Sequence, residues 1–404
     1  MRRPRTRVWR VTDEPRRAPR GGSLPPTIDA ARDAALSVAI DVGPLLGPLT
    51  GVGAAAQQII SALSDDPAIA LRPYACSFRG ALQAGTTRLP LPAAIAQRLW
   101  AHLPAPRMDH WLRPALVIHG TNYTVPPSRL PRVVTVYDCW FLRSPSQASG
   151  DVARAGHVLR RAVSTGAVVH ASSHATADAV RELLHTDRVE VIPLAALPIV
   201  ETSDATPVAQ VRAPVADLDG VPFILAVGTL ERRKNLPRLV KAFGQIVGDN
   251  GDLRLVLAGS DGDDREAINL AIDQLHPHAR ERVMFTGRID EAVKHWLLRH
   301  ARVLAYPSLD EGFGFPLLEA MAFDLPIVAS TAGSIPEVAG DAALLVAASD
   351  VTALAEALQH VLTDSQARSR LIAAGRVRLT HYSWLDTAAQ LADFYRRLAQ
   401  EGTT

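Results

Sequence analysis

Glu311 and Glu319 enclose the run Glu-Gly-Phe-Gly-Phe-Pro-Leu-Leu-Glu, directly after an apolar, strand-like stretch that ends at Tyr306. Gly312 and Gly314 permit backbone conformations closed to other residues and let a ligand approach closely. Pro316 suits the first turn of a helix, where its missing N–H leaves no bond unmade. The free amides of Leu317 and Leu318, at the positive end of that helix, then face an anion such as a diphosphate. Glu319 stands too far into the helix for phosphate, and its carboxylate suits the vicinal hydroxyls of a ribose. Glu311 either accepts hydroxyls of a sugar or is a routine partner of the helix dipole. A second run, Gly228-Thr229-Leu230-Glu231-Arg232-Arg233-Lys234-Asn235, again joins a strand end to a helix start. Three cations there oppose the helix dipole, at a cost in stability unless an anion binds, although a solvated charged turn is the plainer alternative. The chain has 40 Arg and only three Lys, Lys234, Lys241 and Lys294, so a lysine in this loop suggests a demand for a compact ammonium.

Weaker signals follow other strands. Thr50-Gly51-Val52-Gly53 precedes a helix and reads either as a phosphate loop or as an ordinary strand-to-helix turn. Tyr137 and Asp138 put a phenol and a carboxylate at a strand end, where Asp138 is equally a helix cap. His119 at the end of the preceding strand has the character of a structural residue. Ser172-Ser173-His174 caps a helix; without a positioned acid, and without a Gly-x-Ser-x-Gly elbow, it makes no hydrolase triad.

The elements that must position these residues alternate along the chain. Short β-branched runs at 36–42, 69–76, 115–119, 132–137, 167–171 and 189–192 are separated by segments of helical period at 53–64, 151–164 and 174–184. A polar, Pro-dotted stretch at 201–222 interrupts the alternation. A second series has strands at 223–227, 253–257, 282–285, 303–306, 327–329 and 343–346, then helices near 350–363, 366–379 and 384–399. That pattern is α/β: two Rossmann-like domains with parallel sheets, at 36–205 and 206–382, with a final helix and tail at 383–404. Residues 1–35, with nine Arg and no apolar period, read as a disordered arm lacking the apolar core of a signal peptide. At 404 residues and 48% apolar content the chain fills two or more cores, and no stretch is long and apolar enough to span a bilayer. Two cysteines, Cys76 and Cys139, build neither a disulfide framework nor a metal site, which points to a reducing, cytoplasmic setting. The charge is uneven: residues 1–200 carry 23 Arg against 14 acids, and residues 201–404 carry 20 cations against 27 acids.

Taken in order, Thr50 to Gly53, Tyr137-Asp138, Gly228 to Asn235, Thr286-Gly287-Arg288 and the Glu311 to Glu319 pair resemble family 4 of the retaining glycosyltransferases, which have the GT-B architecture. The resemblance covers residues 36–400 and is strongest to the mannosyltransferase-like group of bacterial polysaccharide biosynthesis. It implies that the second domain holds a nucleotide diphosphate sugar, with GDP-mannose favoured, and that the first holds a glycan or lipid-linked acceptor. It also implies that the last helix crosses back to the first domain. Arg233 and Lys234 would neutralise the diphosphate leaving group, Glu319 would hold the ribose, and Glu311 would contact the transferring sugar beside Phe313 and Gly314. Gly51 and Gly53 would close on the phosphates, Arg288 would frame the base, and Tyr137 and Asp138 would face the acceptor side. The family usually has His where Tyr137 stands, so Tyr137 is expected to hydrogen-bond in its place; Ala54-Ala55 stand where related sequences often carry Arg and an aromatic. No metal, cofactor or nucleic acid is expected, and a lipid-linked acceptor implies peripheral contact with the cytoplasmic face of the inner membrane. A nucleotide-sugar epimerase of the same fold and a noncatalytic nucleotide-sugar-binding scaffold are the alternatives.

Overall fold

A computed structural model describes residues 35–47, 49–77, 82–145, 150–199 and 215–402. The expected arm, up to residue 34, and residues 201–214 of the interrupting stretch at 201–222 lie outside the described residues. Among those described, thirteen strands form two sheets in which every pairing is parallel. The first contains β1 (Leu36–Asp41), β2 (Ile69–Ala75), β3 (Thr87–Arg88), β4 (Val117–Gly120), β5 (Arg132–Val136), β6 (Val168–Ala171) and β7 (Val189–Val191), in the spatial order β3-β2-β1-β4-β5-β6-β7. The second contains β8 (Phe223–Val227), β9 (Arg254–Ala258), β10 (Val283–Gly287), β11 (Val303–Tyr306), β12 (Ile327–Ser330) and β13 (Ala343–Val346), in the order β10-β9-β8-β11-β12-β13. Every residue of β4, β5, β6, β11 and β12 is buried, because helices cover both faces of a parallel sheet; continuous apolar runs such as Ile-Val-Ala are the result.

Sequence reading missed β3, only two residues long, and the helices Ala93–His102, Asp109–Leu112 and Trp140–Arg143. The prolines at 90, 92, 104 and 106 break the period around the first of these. Strand order reverses at β1 and β4 in the first sheet and at β8 and β11 in the second. A crevice opens beyond the carboxyl ends of strands at such a switch point, so the loops after β8 and β11 are placed to meet a ligand.

The helix Trp384–Glu401 crosses back to the first sheet and packs on the helix Gly51–Ser64. Leu391, Phe394 and Leu398 are buried there, each worth roughly 1.5–3 kcal/mol. Thr387 Oγ1 donates to the Pro193 carbonyl (2.7 Å) and Trp384 Nε1 to that of Ala196 (2.8 Å). Beneath the helix lies a chain of neutral polar groups whose protons can be placed from its far end. The Ile192 carbonyl only accepts, so His170 Nε2 donates to it (2.9 Å) and His170 Nδ1 accepts from Thr135 Oγ1 (3.0 Å). Thr135 Oγ1 then accepts from His119 Nε2 (2.7 Å), and His119 Nδ1 accepts from the Tyr395 hydroxyl (2.6 Å). Burial pushes His119 well below the ordinary imidazole range, aided by His170. It lowers His170 to about 4 against the opposing bond to Ile192, so both rings stay neutral. His119 is thus structural.

Candidate functional site

Beyond β8 the chain turns at Gly228, whose φ of +133° is open to glycine, and Arg232–Lys234 form a short 3-10 turn. Asn235 closes the turn at φ +59°, a left-handed conformation that asparagine tolerates. Its side-chain amide donates to the carbonyls of Pro307 (2.9 Å) and Ala348 (2.8 Å), while the Leu309 amide donates to the Arg233 carbonyl (2.7 Å). These bonds tie the cationic turn to the loops after β11 and β13, and through the former Arg233 and Lys234 meet Glu311. Lys234 Nζ donates to Glu311 Oε1 at 2.6 Å and to the Tyr306 hydroxyl at 3.0 Å. Arg233 Nη1 donates to Glu311 Oε2 at 3.0 Å, Arg233 Nε to Glu231 Oε2 at 2.7 Å, and Ser308 Oγ to Glu311 Oε1 at 2.8 Å.

The chain therefore supplies an anion for its own cations. They do not stand free at a helix end awaiting one, as sequence reading expected. Burial by itself would raise the Glu311 carboxyl, but Lys234, Arg233 and the bonds from Lys234 and Ser308 together hold it at about 2. Arg233 is raised: burial opposes its charge, and Glu311 and Glu231 outweigh burial. Lys234 is lowered by burial, reinforced by Arg233 and opposed by Glu311. Arg233 and Lys234 outnumber Glu311 by one charge. Glu231, 37% exposed, is the only other carboxylate bonded to them among the described residues.

A cleft of about 1440 Å³ opens against this cluster. Arg233, Lys234, Glu311 and Glu319 all line it, as do Gly51, Arg288, Gly312, Phe313 and Gly314, and Tyr137 and Asp138 of the first domain line it next to Gly312. Glu319 is 6% exposed and Lys234 8%, so neither faces solvent. Glu319 Oε1 accepts from Lys294 Nζ at 2.7 Å, and Lys294 also pairs with Glu291 (2.8 Å). Burial lowers Lys294, yet the two carboxylates more than reverse this and raise it. Sequence reading counted Lys294 only as a rare residue type. Its scarcity, shared with Lys234, was the available signal, since each of these two lysines pairs with one of the two glutamates.

Several residues sit differently from expectation. The Leu317 amide already donates to the Gly314 carbonyl (2.9 Å), and Leu317 and Leu318 are buried away from the cleft lining. Gly314, at φ +89°, begins the helix Phe315–Ala322, and Pro316 lies in its first turn. Gly53 is buried: its amide donates to Thr50 Oγ1, and a Cβ there would stand 2.9 Å from the Pro44 carbonyl, so its close approach is to backbone. The Tyr137 hydroxyl donates to the Thr121 carbonyl (2.9 Å) and is committed inside the first sheet. Asp138 precedes the N-cap of the helix Trp140–Arg143, which is Cys139, instead of being that cap: Oδ1 accepts from the Trp140 amide (3.1 Å), Oδ2 accepts from the Tyr123 hydroxyl (3.3 Å), and the residue borders the cleft.

Residues 210–378 match the family described as Glycosyl transferases group 1. Over 176 residues the chain is 33% identical to a phosphatidyl-myo-inositol mannosyltransferase of Mycobacterium leprae, covering 43% of this chain and 46% of that protein. Over 179 residues it is 27% identical to O-antigen chain mannosyltransferase B of Escherichia coli, covering 44% and 46%. The chain thus spans just under half the length of each. The structure is similar to WaaG, a glycosyltransferase involved in lipopolysaccharide biosynthesis, with a TM-score of 0.64 at 18% identity over 89% of this chain and 99% of that one. It is also similar to sucrose-phosphate synthase from Thermosynechococcus elongatus, with a TM-score of 0.66 at 23% identity over 90% and 99%. These two likenesses speak to fold. Together with the two sheets and the returning helix, they show a GT-B fold, on which residues 210–378 carry the match to Glycosyl transferases group 1.

Proposed function

We propose that the protein is a retaining glycosyltransferase that moves a hexosyl group, mannose in the favoured case, from a nucleoside diphosphate sugar to a glycan or lipid-linked acceptor. The observation that carries this reading is the convergence of Arg233 and Lys234 on Glu311 at one end of the cleft, with Lys294 on Glu319 further along it. Breaking an anomeric bond builds positive charge on the sugar and negative charge on the departing diphosphate. Cations fixed beside the leaving oxygen stabilise that separation more than they stabilise the ground state. The Arg233 and Lys234 side chains are held in place before substrate arrives, so little reorganisation is spent at the moment of reaction. The excess of positive charge over Glu311 favours a phosphate there, and the partly exposed Glu231 is the carboxylate that a diphosphate would displace.

Glu311 has one lone-pair direction left on Oε2 for a sugar hydroxyl. Glu319, oriented by Lys294, is suited to the paired hydroxyls of a ribose. Asp138 borders the cleft beside Gly312, on the first-domain side, where an acceptor would enter. Departure of the diphosphate and attack of the acceptor on the same face of the sugar, with a phosphate oxygen taking the acceptor proton, requires no covalent intermediate on the chain. Mannose and GDP are favoured because the relatives named above are mannosyltransferases. The test is to incubate the protein with a panel of nucleotide sugars, with and without a membrane lipid extract, and to follow nucleoside diphosphate release. Release from GDP-mannose that depends on acceptor supports the reading; no release from any donor of the panel contradicts it.

A further inference from the structure

We infer that Ser173 and Thr176, at the start of the helix His174–Leu184, are positioning residues for the Glu311 loop, so that the first sheet sets the geometry of a donor site built on the second. The inference rests on the reading of Glu311, Arg233 and Lys234 as that donor site. Both hydroxyls belong to the first half of the chain and both are buried. Ser173 Oγ accepts from the Thr176 amide at 3.0 Å, capping the helix, which turns its own proton outward to the Gly312 carbonyl at 2.6 Å. Thr176 Oγ1 donates to the same carbonyl at 2.9 Å, while Ser172 Oγ reaches it only at 3.4 Å. The two short bonds fill the two lone pairs of the residue that follows Glu311.

The contact is too close to be incidental. A Cβ on Gly312 would stand 1.5 Å from the Tyr137 carbonyl oxygen and 2.8 Å from Asp138 Cα, so only glycine lets the two backbones meet. Contacts on the other side close a ring. The Ser334 amide donates to the Glu311 carbonyl at 2.9 Å, and Gly333, at φ +55°, would put a Cβ 2.4 Å from that oxygen. Three residues on, Glu337 accepts from the amides of His174 (2.9 Å) and Ala175 (3.2 Å), through one oxygen each. Those two amides would otherwise be unpaired at the start of the helix, so the second half of the chain supplies the cap that orients Ser173 and Thr176. Glu311 is therefore held by its own carbonyl and by its neighbour's. Loosening the neighbour lets the carboxylate drift from the cations it aligns, and a ligand that needs the aligned form binds more weakly in proportion to the lost population.

The test is calorimetric titration of GDP, with UDP in parallel, into the wild type, Thr176→Val and the double variant Ser173→Ala/Thr176→Val. Thr176→Val preserves the helix cap, which separates loss of the Gly312 bond from loss of the cap. Asp364→Ala, which removes the cap of the remote helix Ser365–Leu379, is the control for lowered stability alone. The expected result is GDP binding roughly tenfold weaker in the double variant and partly weakened in Thr176→Val, with Asp364→Ala binding as the wild type does. Affinity within twofold of wild type in the double variant, even with a lowered melting temperature, overturns the inference and leaves the donor-site reading standing. Failure of the wild type to bind either nucleotide overturns the donor-site reading and the inference with it.

Discussion

Arg233, Lys234 and Glu311 are buried and charged, whereas Tyr395, His119, Thr135 and His170 are buried and neutral, and the two groups solve the problem of desolvation in opposite ways. In the neutral chain each hydrogen-bonding link has one donor and one acceptor from end to end, and it joins the returning helix to the first sheet. Nothing there calls for a ligand. The charged cluster sets two cations against one buried carboxylate, Glu311, and one partly exposed carboxylate, Glu231, and borders a cleft. Buried charge is costly unless paired, so it persists where something else, such as an anionic ligand, shares the balance. Burial alone thus says little about function; compensation that leans on a partly exposed carboxylate beside an opening says more.

The contrast is most severely disturbed at the charged end. Lys234→Ala leaves Arg233 as the one cation bonded to both Glu311 and Glu231, Glu311→Gln leaves Lys234 buried without its carboxylate, and each is expected to lower stability by about 3–5 kcal/mol in denaturant melts. Nucleoside diphosphate release, measured per folded molecule, should fall by roughly a hundredfold or more. His119→Ala cuts the neutral chain at its centre and opens a cavity, with an expected loss of about 3 kcal/mol, while release per folded molecule stays near wild type. A parallel loss of turnover in His119→Ala would erase the distinction between the two groups.

Acid separates the groups further. His170 sits at about 4 in the folded chain against an ordinary 6.5, so its contribution is fully present above pH 6.5 and is lost as pH falls toward 4, about 3 kcal/mol in the limit. Lowered His119 acts in the same direction. Asp41, raised by burial to about 6 against the Gly43 amide bond, acts oppositely: its contribution is present below pH 3.8 and lost as pH rises through 6. Glu311, at about 2, keeps its contribution until pH falls below its ordinary 4.5. Melting temperature should therefore decline between pH 6.5 and 4.5 through the neutral chain, with a shallower decline in His170→Gln; equal slopes in variant and wild type would refute this assignment. The smallest effect is expected of Tyr137→Phe, which orphans the Thr121 carbonyl at a cost of about 1 kcal/mol and leaves release unchanged. A large loss of release there would make the phenol part of the chemistry after all.

The fold was legible because parallel strands buried on both faces must be written as apolar β-branched runs, and twelve of the thirteen strands are long enough to carry that signal. The two-residue β3 is not. The cleft residues were legible at strand ends, where glycine, charge and proline cluster in short runs such as Glu311 to Pro316. What could not be read was pairing across distance. That Lys234 finds Glu311, that Lys294 finds Glu319, and that Ser173 reaches Gly312 are consequences of strand order, and no local period encodes them. Leu317 was misread for a related reason: an amide at a helix start looks free in sequence, and the Gly314 carbonyl that takes it depends on a left-handed turn.

A crystal structure with GDP bound would decide the role of the cationic cluster. The diphosphate is expected within hydrogen-bonding distance of Arg233 and Lys234, with Glu231 released from Arg233 and the ribose hydroxyls on Glu319. A nucleotide seated elsewhere in the cleft, with Arg233 and Lys234 still engaged only by Glu231 and Glu311, would contradict the donor-site assignment.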